Sequence, residues 1–185
     1  MEKDMSMKIK RKRKKYSIMR SVHELEKIML GLPEDEVYKM VTCGNFSSIS
    51  VVIHVAYQTK IHNLYASSFR IGRKQLQAID ALRKSGRIGK CYFAVGTLMK
   101  NDSETGKQYH YYDLFEEICK KNGWEYATVN NHSKILLFDT DAGKYVLETS
   151  SNLNENPKIE QLSFEKDEEL YEFYRSIFEG WMKDG

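Results

Sequence analysis

The strongest constraint on this fold is an alternation of two hydrophobic periods along the middle of the chain. Short apolar runs at Asn63–Ser68, Lys90–Gly96 and Trp124–Val129 have the length and composition of strands. Between them, apolar residues recur at helical spacing: Leu76, Ala78, Ile79 and Leu82 within Arg73–Lys84, and Leu114, Phe115 and Ile118 within Tyr111–Lys121. Gly86 and Gly123 stand where those two helices must stop. The flanks add a strand at Val37–Thr42, a turn at Gly44-Asn45, and a helix from Ser47 or Ser48 to Tyr57 despite its valines. Ser21-Val22-His23-Glu24 has capping-box spacing and precedes Leu25, Ile28, Met29 and Leu32, with Gly31 and Pro33 stopping that helix early. Lys134–Phe138 and Lys144–Glu148, joined through Asp141-Ala142-Gly143, predict a β-hairpin. Glu168–Met182 predicts a closing helix with Leu170, Phe173, Ile177, Phe178 and Trp181 inward. Asn101–Lys107 and Ser150–Gln161 are polar and are expected to be loops. The expected class is α/β: a mixed β-sheet flanked by helices on both faces, formed by residues 21–185 as a single domain.

Charge divides the chain differently. Residues 1–20 contain nine Lys/Arg and two acids, a net +7, whereas all 185 residues total +3; the remainder is therefore −4. A block of like charge stays solvated, so residues 1–20 are expected to form a disordered basic arm. Lys8, Lys10, Arg11, Lys12, Arg13, Lys14 and Lys15 are its candidate contacts to a polyanion, with nucleic acid the first expectation and an anionic lipid surface the second. No apolar run has the length of a membrane span, and no secretory leader is evident, so a cytoplasmic location without stable membrane association is expected. Cys43, Cys91 and Cys119 lack CxxC spacing, and His23-Glu24 lacks a second histidine at metalloprotease spacing. No metal and no cofactor are expected.

The chemistry concentrates in Asn131-His132-Ser133-Lys134 and in Thr149-Ser150-Ser151-Asn152. His132 and Lys134 are two apart at the start of a predicted strand, so both side chains can address one point. An ammonium neutralises phosphate charge while an imidazole attacks phosphorus or moves a proton. Ser150 and Asn152 leave the returning hairpin strand with the same alternation, offering a hydroxyl and a carboxamide to non-bridging phosphate oxygens. Asp139 is an odd number of residues from His132 and is expected to point away, as a structural hydrogen-bonding residue. Tyr109, Tyr111 and Tyr112 flank His110; they could stack on bases, although a helix start there favours packing.

His132-x-Lys134-x4-Asp139, followed by Ser150-x-Asn152, resembles the HKD motif of the phospholipase D superfamily, and in particular its small single-motif bacterial and phage endonucleases. The resemblance covers about residues 37–180. It implies a phospholipase D-like mixed sheet, a phosphohistidine intermediate and no metal. It also implies an acidic residue supporting the histidine, for which Glu160 is the candidate and Glu155 the competitor. Thr149 stands where the family pattern has glycine. The family chemistry needs two such motifs. None of His23, His54, His62 and His110 has a lysine two residues on. The resemblance therefore implies a homodimer with the active site across its two-fold axis. The expected function is a metal-independent endonuclease acting on DNA, with RNA as a second substrate. The alternatives are a nucleic-acid-binding module with a phosphate site and little turnover, or a phospholipid phosphodiesterase.

Overall fold

A computed structural model of the chain describes residues 12–19, 25–43, 47–104, 111–154 and 158–184. Within them run β1 (Arg13–Met19), α1 (Leu25–Ile28), β2 (Glu36–Thr42), α2 (Ile49–Gln58), β3 (Ile61–Ser68), α3 (Arg73–Lys84) and β4 (Ile88–Gly96). There follow α4 (Thr97–Glu104), α5 (Tyr112–Asn122), β5 (Glu125–Val129), β6 (Ile135–Thr140), β7 (Gly143–Thr149), β8 (Gln161–Lys166) and α6 (Glu168–Asp184). The strands form one sheet in the order β1-β2-β8-β7-β6-β3-β4-β5. Its wings are parallel (β1 with β2, β3 with β4, β4 with β5), and the middle is antiparallel.

Side-chain alternation divides the core between the two faces. On β6, Leu136 and Phe138 join the larger cluster with Val52 and Val55 of α2, Leu76 and Ile79 of α3 and Phe115 of α5. Leu137, between them, faces the other way and packs with Tyr65, Val146, Leu170, Tyr171 and Phe178 beneath α6. Each buried phenylalanine or leucine in these clusters contributes roughly 1.5–3 kcal/mol relative to exposure. This is the mixed sheet with helices on both faces that the hydrophobic periods predict. Gly143, at φ 127°, closes the β6–β7 hairpin in a backbone region that side-chain-bearing residues avoid.

Four expectations need correction. Arg13–Met19, assigned to a disordered arm, pairs with β2 from Arg13↔Glu36 to Met19↔Thr42. Lys12 and Lys15 are not free for a polyanion: Lys12 bonds Glu165 and Asp167, and Lys15 bonds Glu36. An edge strand needs little apolar content and is commonly studded with lysine, so by charge alone it resembles a solvated tail. Part of the expected Asn101–Lys107 loop, up to Glu104, belongs to α4, which is anchored by buried Met99. The loop expected to end at Gln161 gives way there to β8, whose Leu162 and Phe164 alternate inward. Finally, α1 is shorter than its apolar spacing implied. Lys8, Lys10, Arg11, the Ser21–Glu24 capping box, the Gly44-Asn45 turn, Tyr109, His110 and Glu155 lie outside the described residues. Among the described residues, no helix is long and apolar enough to cross a membrane.

Candidate active site

The site forms where β3 and β4 end and β6 begins. Asn131 is buried, and its side chain holds the approach to β6: Nδ2 donates to the Ala94 carbonyl (3.4 Å) while Oδ1 accepts from the Ser133 amide (2.7 Å) and hydroxyl (2.6 Å). Ser67, the penultimate residue of β3, bonds the Ser133 hydroxyl (2.8 Å) and accepts from the Ile135 amide (3.1 Å). These bonds fix both ends of a short irregular segment, leaving His132 exposed at its crest. The Phe69 ring lies against the His132 imidazole, with centroids 5.1 Å apart. Gly96 permits this crowding, since a Cβ there would stand 2.8 Å from the Phe69 carbonyl oxygen and 3.2 Å from that of Asn131.

Lys134 is buried beneath His132, and its ammonium donates to the His132 carbonyl (2.6 Å) and meets His132 Nδ1 at 3.0 Å. Burial lowers the Lys134 pKa below the ordinary lysine value, and the nearby Glu160 charge opposes that shift. An ammonium has no lone pair to accept with, so in this contact Nδ1 is the acceptor. A neutral His132 then carries its proton on Nε2.

The second pair arrives from the hairpin. Ser150 is exposed at the end of β7; its hydroxyl donates to the Glu160 carboxylate and accepts from the Gln161 amide (3.0 Å). Glu160 is buried, and its backbone is clamped to the end of β2 by the Thr42 amide (2.8 Å) and the Thr42 hydroxyl (2.9 Å). Thr149 turns the chain here: its hydroxyl donates to the Gln161 carbonyl (2.9 Å) and accepts from the Ser151 amide (3.0 Å). Asn152 is half-buried; its side-chain oxygen accepts from Ser68 Oγ at 3.5 Å, and its Nδ2 has no partner among the described residues. Asp139 turns aside and accepts from Asn63 Nδ2 (2.8 Å).

His132, Lys134 and Ser150 open into a groove of about 970 Å³ whose other walls include Tyr16, Lys39, Glu148, Gln161 and Ser163. Sequence reasoning found the first three and missed these five. Lys39, a lone charge inside an apolar strand run, was the available signal. Among the described residues, no cluster of three or more His, Cys, Asp or Glu side chains is placed to hold a metal.

No family model matches the sequence, and no curated protein is significantly similar to it. Solved structures do match. A phospholipase D family member, Nuc from Salmonella typhimurium, superposes with a TM-score of 0.53 at 16% identity, over 80% of this chain and 95% of that one. This chain has the phospholipase D fold. Polyphosphate kinase from Porphyromonas gingivalis matches with a TM-score of 0.55 at 14% identity, over 78% of this chain and 26% of that one. TrmBL2, an archaeal chromatin protein described as showing a novel mode of DNA binding, matches with a TM-score of 0.52 at 13% identity, over 88% and 59%. The expected fold, a mixed sheet flanked by helices, and the observed one coincide.

Proposed function

We propose that the chain hydrolyses phosphodiester bonds of nucleic acid, DNA first, with His132 as nucleophile. The observation that carries this reading is the exposed His132 imidazole with the Lys134 ammonium on its Nδ1, sharing one groove with Ser150, whose hydroxyl donates to the buried Glu160 behind it. In the proposed reaction, His132 Nε2 forms a bond to phosphorus and the P–O bond to the leaving oxygen breaks. A second imidazole gives that oxygen its proton. The same imidazole then takes a proton from water, whose oxygen attacks phosphorus and releases His132. Lys134, Ser150 and Asn152 Nδ2 would neutralise and hold the non-bridging oxygens.

Among the described residues, no imidazole other than His132 lines the groove; His23 and His110 lie outside them. His54 is buried, and His62 is paired with Asp141 at the hairpin turn, the opposite end of β6 from His132. A second copy of the chain is the proposed source of the second imidazole, making the working unit a homodimer. The Lys134–Nδ1 contact suits the acid, because it leaves the proton on Nε2. The copy that attacks needs Nε2 bare, which requires its Lys134 to leave Nδ1 and move onto the bound phosphate.

The test is cleavage of plasmid and single-stranded DNA in excess chelator by wild type and His132→Asn. Activity in the wild type alone, with both proteins folded and dimeric, is expected. Equal activity in both would remove His132 from the chemistry. Cleavage by a stable monomer would remove the shared site. Similarity to a chromatin protein favours a second reading, a nucleic-acid-binding module without turnover. That reading predicts binding and no cleavage by either protein.

A further inference from the structure

The groove continues away from His132 across the open end of the sheet, over β7, β8, β2 and β1. Its far wall is made by residues the hydrolytic reading does not use. Tyr16 on β1 is 75% exposed, an unusual state for a ring inside a strand, and it lines the groove. Lys39, its register partner on β2, is half-buried, and its ammonium bonds only the Ser163 hydroxyl (2.6 Å), with no carboxylate partner among the described residues. Among the described residues, the single carboxylate in the groove lining, Glu148, accepts instead from the Tyr174 hydroxyl. The register places Ser150 beside Gln161, Gln161 opposite Val41, and Lys39 two residues along β2. Strand spacing and rise then set the Lys39 backbone about 12 Å from that of Ser150.

We propose that this groove holds single-stranded nucleic acid, with one base stacked on Tyr16 and a phosphodiester flanking the scissile one held by Lys39 and Ser163. The placing of the scissile phosphate rests on the hydrolytic reading of the His132 site; the binding itself does not. The Lys39 ammonium, held by the Ser163 hydroxyl and with no carboxylate on it among the described residues, can take a phosphate oxygen as its counter-ion. Beside it, an exposed ring offers a face that an unpaired base can cover and a duplex cannot, because a duplex keeps its base faces in the stack. The cation and the ring share one side of the sheet and lead to the phosphate chemistry. A lipid headgroup would use the cation and leave the ring idle.

Binding is measured in the His132→Asn background, so that turnover plays no part, by anisotropy of a fluorescein-labelled oligothymidylate and of a duplex of equal length. Tyr16→Ala is expected to weaken oligothymidylate binding about five- to tenfold, with Tyr16→Phe restoring it and the duplex changing less. Lys39→Ala is expected to reduce the slope of log affinity against log salt by about 0.7, the loss of one single-strand phosphate contact. Equal losses for single strand and duplex would overturn the proposal. So would unchanged binding accompanied by a shift in oligomeric state, which would make this face a protein interface. Should the wild type bind single strands through these residues and cut nothing in chelator, this inference stands and the hydrolytic reading falls.

Discussion

Consider the replacement Lys12→Met, which keeps most of the apolar stem and removes the charge. The Lys12 ammonium reaches three acceptors at the far end of β8: Glu165 (3.1 Å), Asp167 (2.7 Å) and the Lys166 carbonyl. The side chains of Lys12, Glu165 and Asp167 are only 17%, 10% and 13% exposed. An exposed pair would contribute under about 1 kcal/mol. Removing one partner of a fully buried pair costs about 3–5 kcal/mol, because the survivor is left uncompensated. Asp167 keeps its bond from the Leu170 amide (2.9 Å), and some water reaches the cluster, so about 2–3 kcal/mol is expected. The loss should be local, since among the described residues β1 is an edge strand whose only sheet partner is β2. Amide exchange in β1 should then quicken about 30- to 150-fold, at roughly 1.4 kcal/mol per decade, while Leu64 and Ala66 of β3 keep their protection. Tyr16 and Ser17 would leave the groove wall together. Unchanged exchange in β1, or an equal rise in β1 and β3, would refute this account of how the strand is held.

The same cluster sets a pH dependence. Burial alone would raise the Asp167 pKa, but the Leu170 amide and the Lys12 ammonium outweigh it and hold the carboxyl below its ordinary value of 3.8. A depressed carboxyl contributes stability that is complete above its unfolded value and is lost as pH falls through the folded one. The stability gap between wild type and Lys12→Met should therefore narrow on acidification below that point, as urea titrations at stepped pH would show.

Two further predictions concern the site. Burial lowers the Lys134 pKa, so diester cleavage should lose its ammonium, and its rate, on an alkaline limb below the ordinary 10.5. Lys134→Arg should remove that limb, and Lys134→Met should cost about 10²–10³ in kcat. The same group makes stability rise with pH from the lowered value to 10.5, because the charged form is the one burial penalises. Gly96→Ala forces a Cβ against two carbonyl oxygens, at 2.8 and 3.2 Å, and must shift the His132 segment. A fall of about tenfold or more in kcat with a lowered Tm is expected, since small displacements of a reacting group are costly; wild-type kinetics would contradict the packing role given to Gly96.

The parts of this fold that were legible in the sequence are those whose signal is local. The Arg73–Lys84 helix was placed at its observed limits because its apolar spacing and its stop both lie within a few residues. His132, Lys134 and Ser150 stand at one groove because one short hairpin carries them, so spacing along the chain maps onto distance in space. What escaped notice depends on partners far along the chain. Gln161–Lys166 has a clean period of two, yet it becomes a strand because Val37–Val41 and Tyr145–Thr149 lie on either side. Arg13–Met19 carries little apolar signal of its own; it is a strand because Lys12 meets carboxylates more than 150 residues away and β2 offers a free edge. Lys39 acquires meaning only through these two strands. With β8 beside it and β1 beyond it, a charge inside an apolar run becomes part of the wall of a groove leading to His132. The catalytic candidates are thus written in adjacent residues, whereas the surface that would choose the substrate is assembled by the sheet.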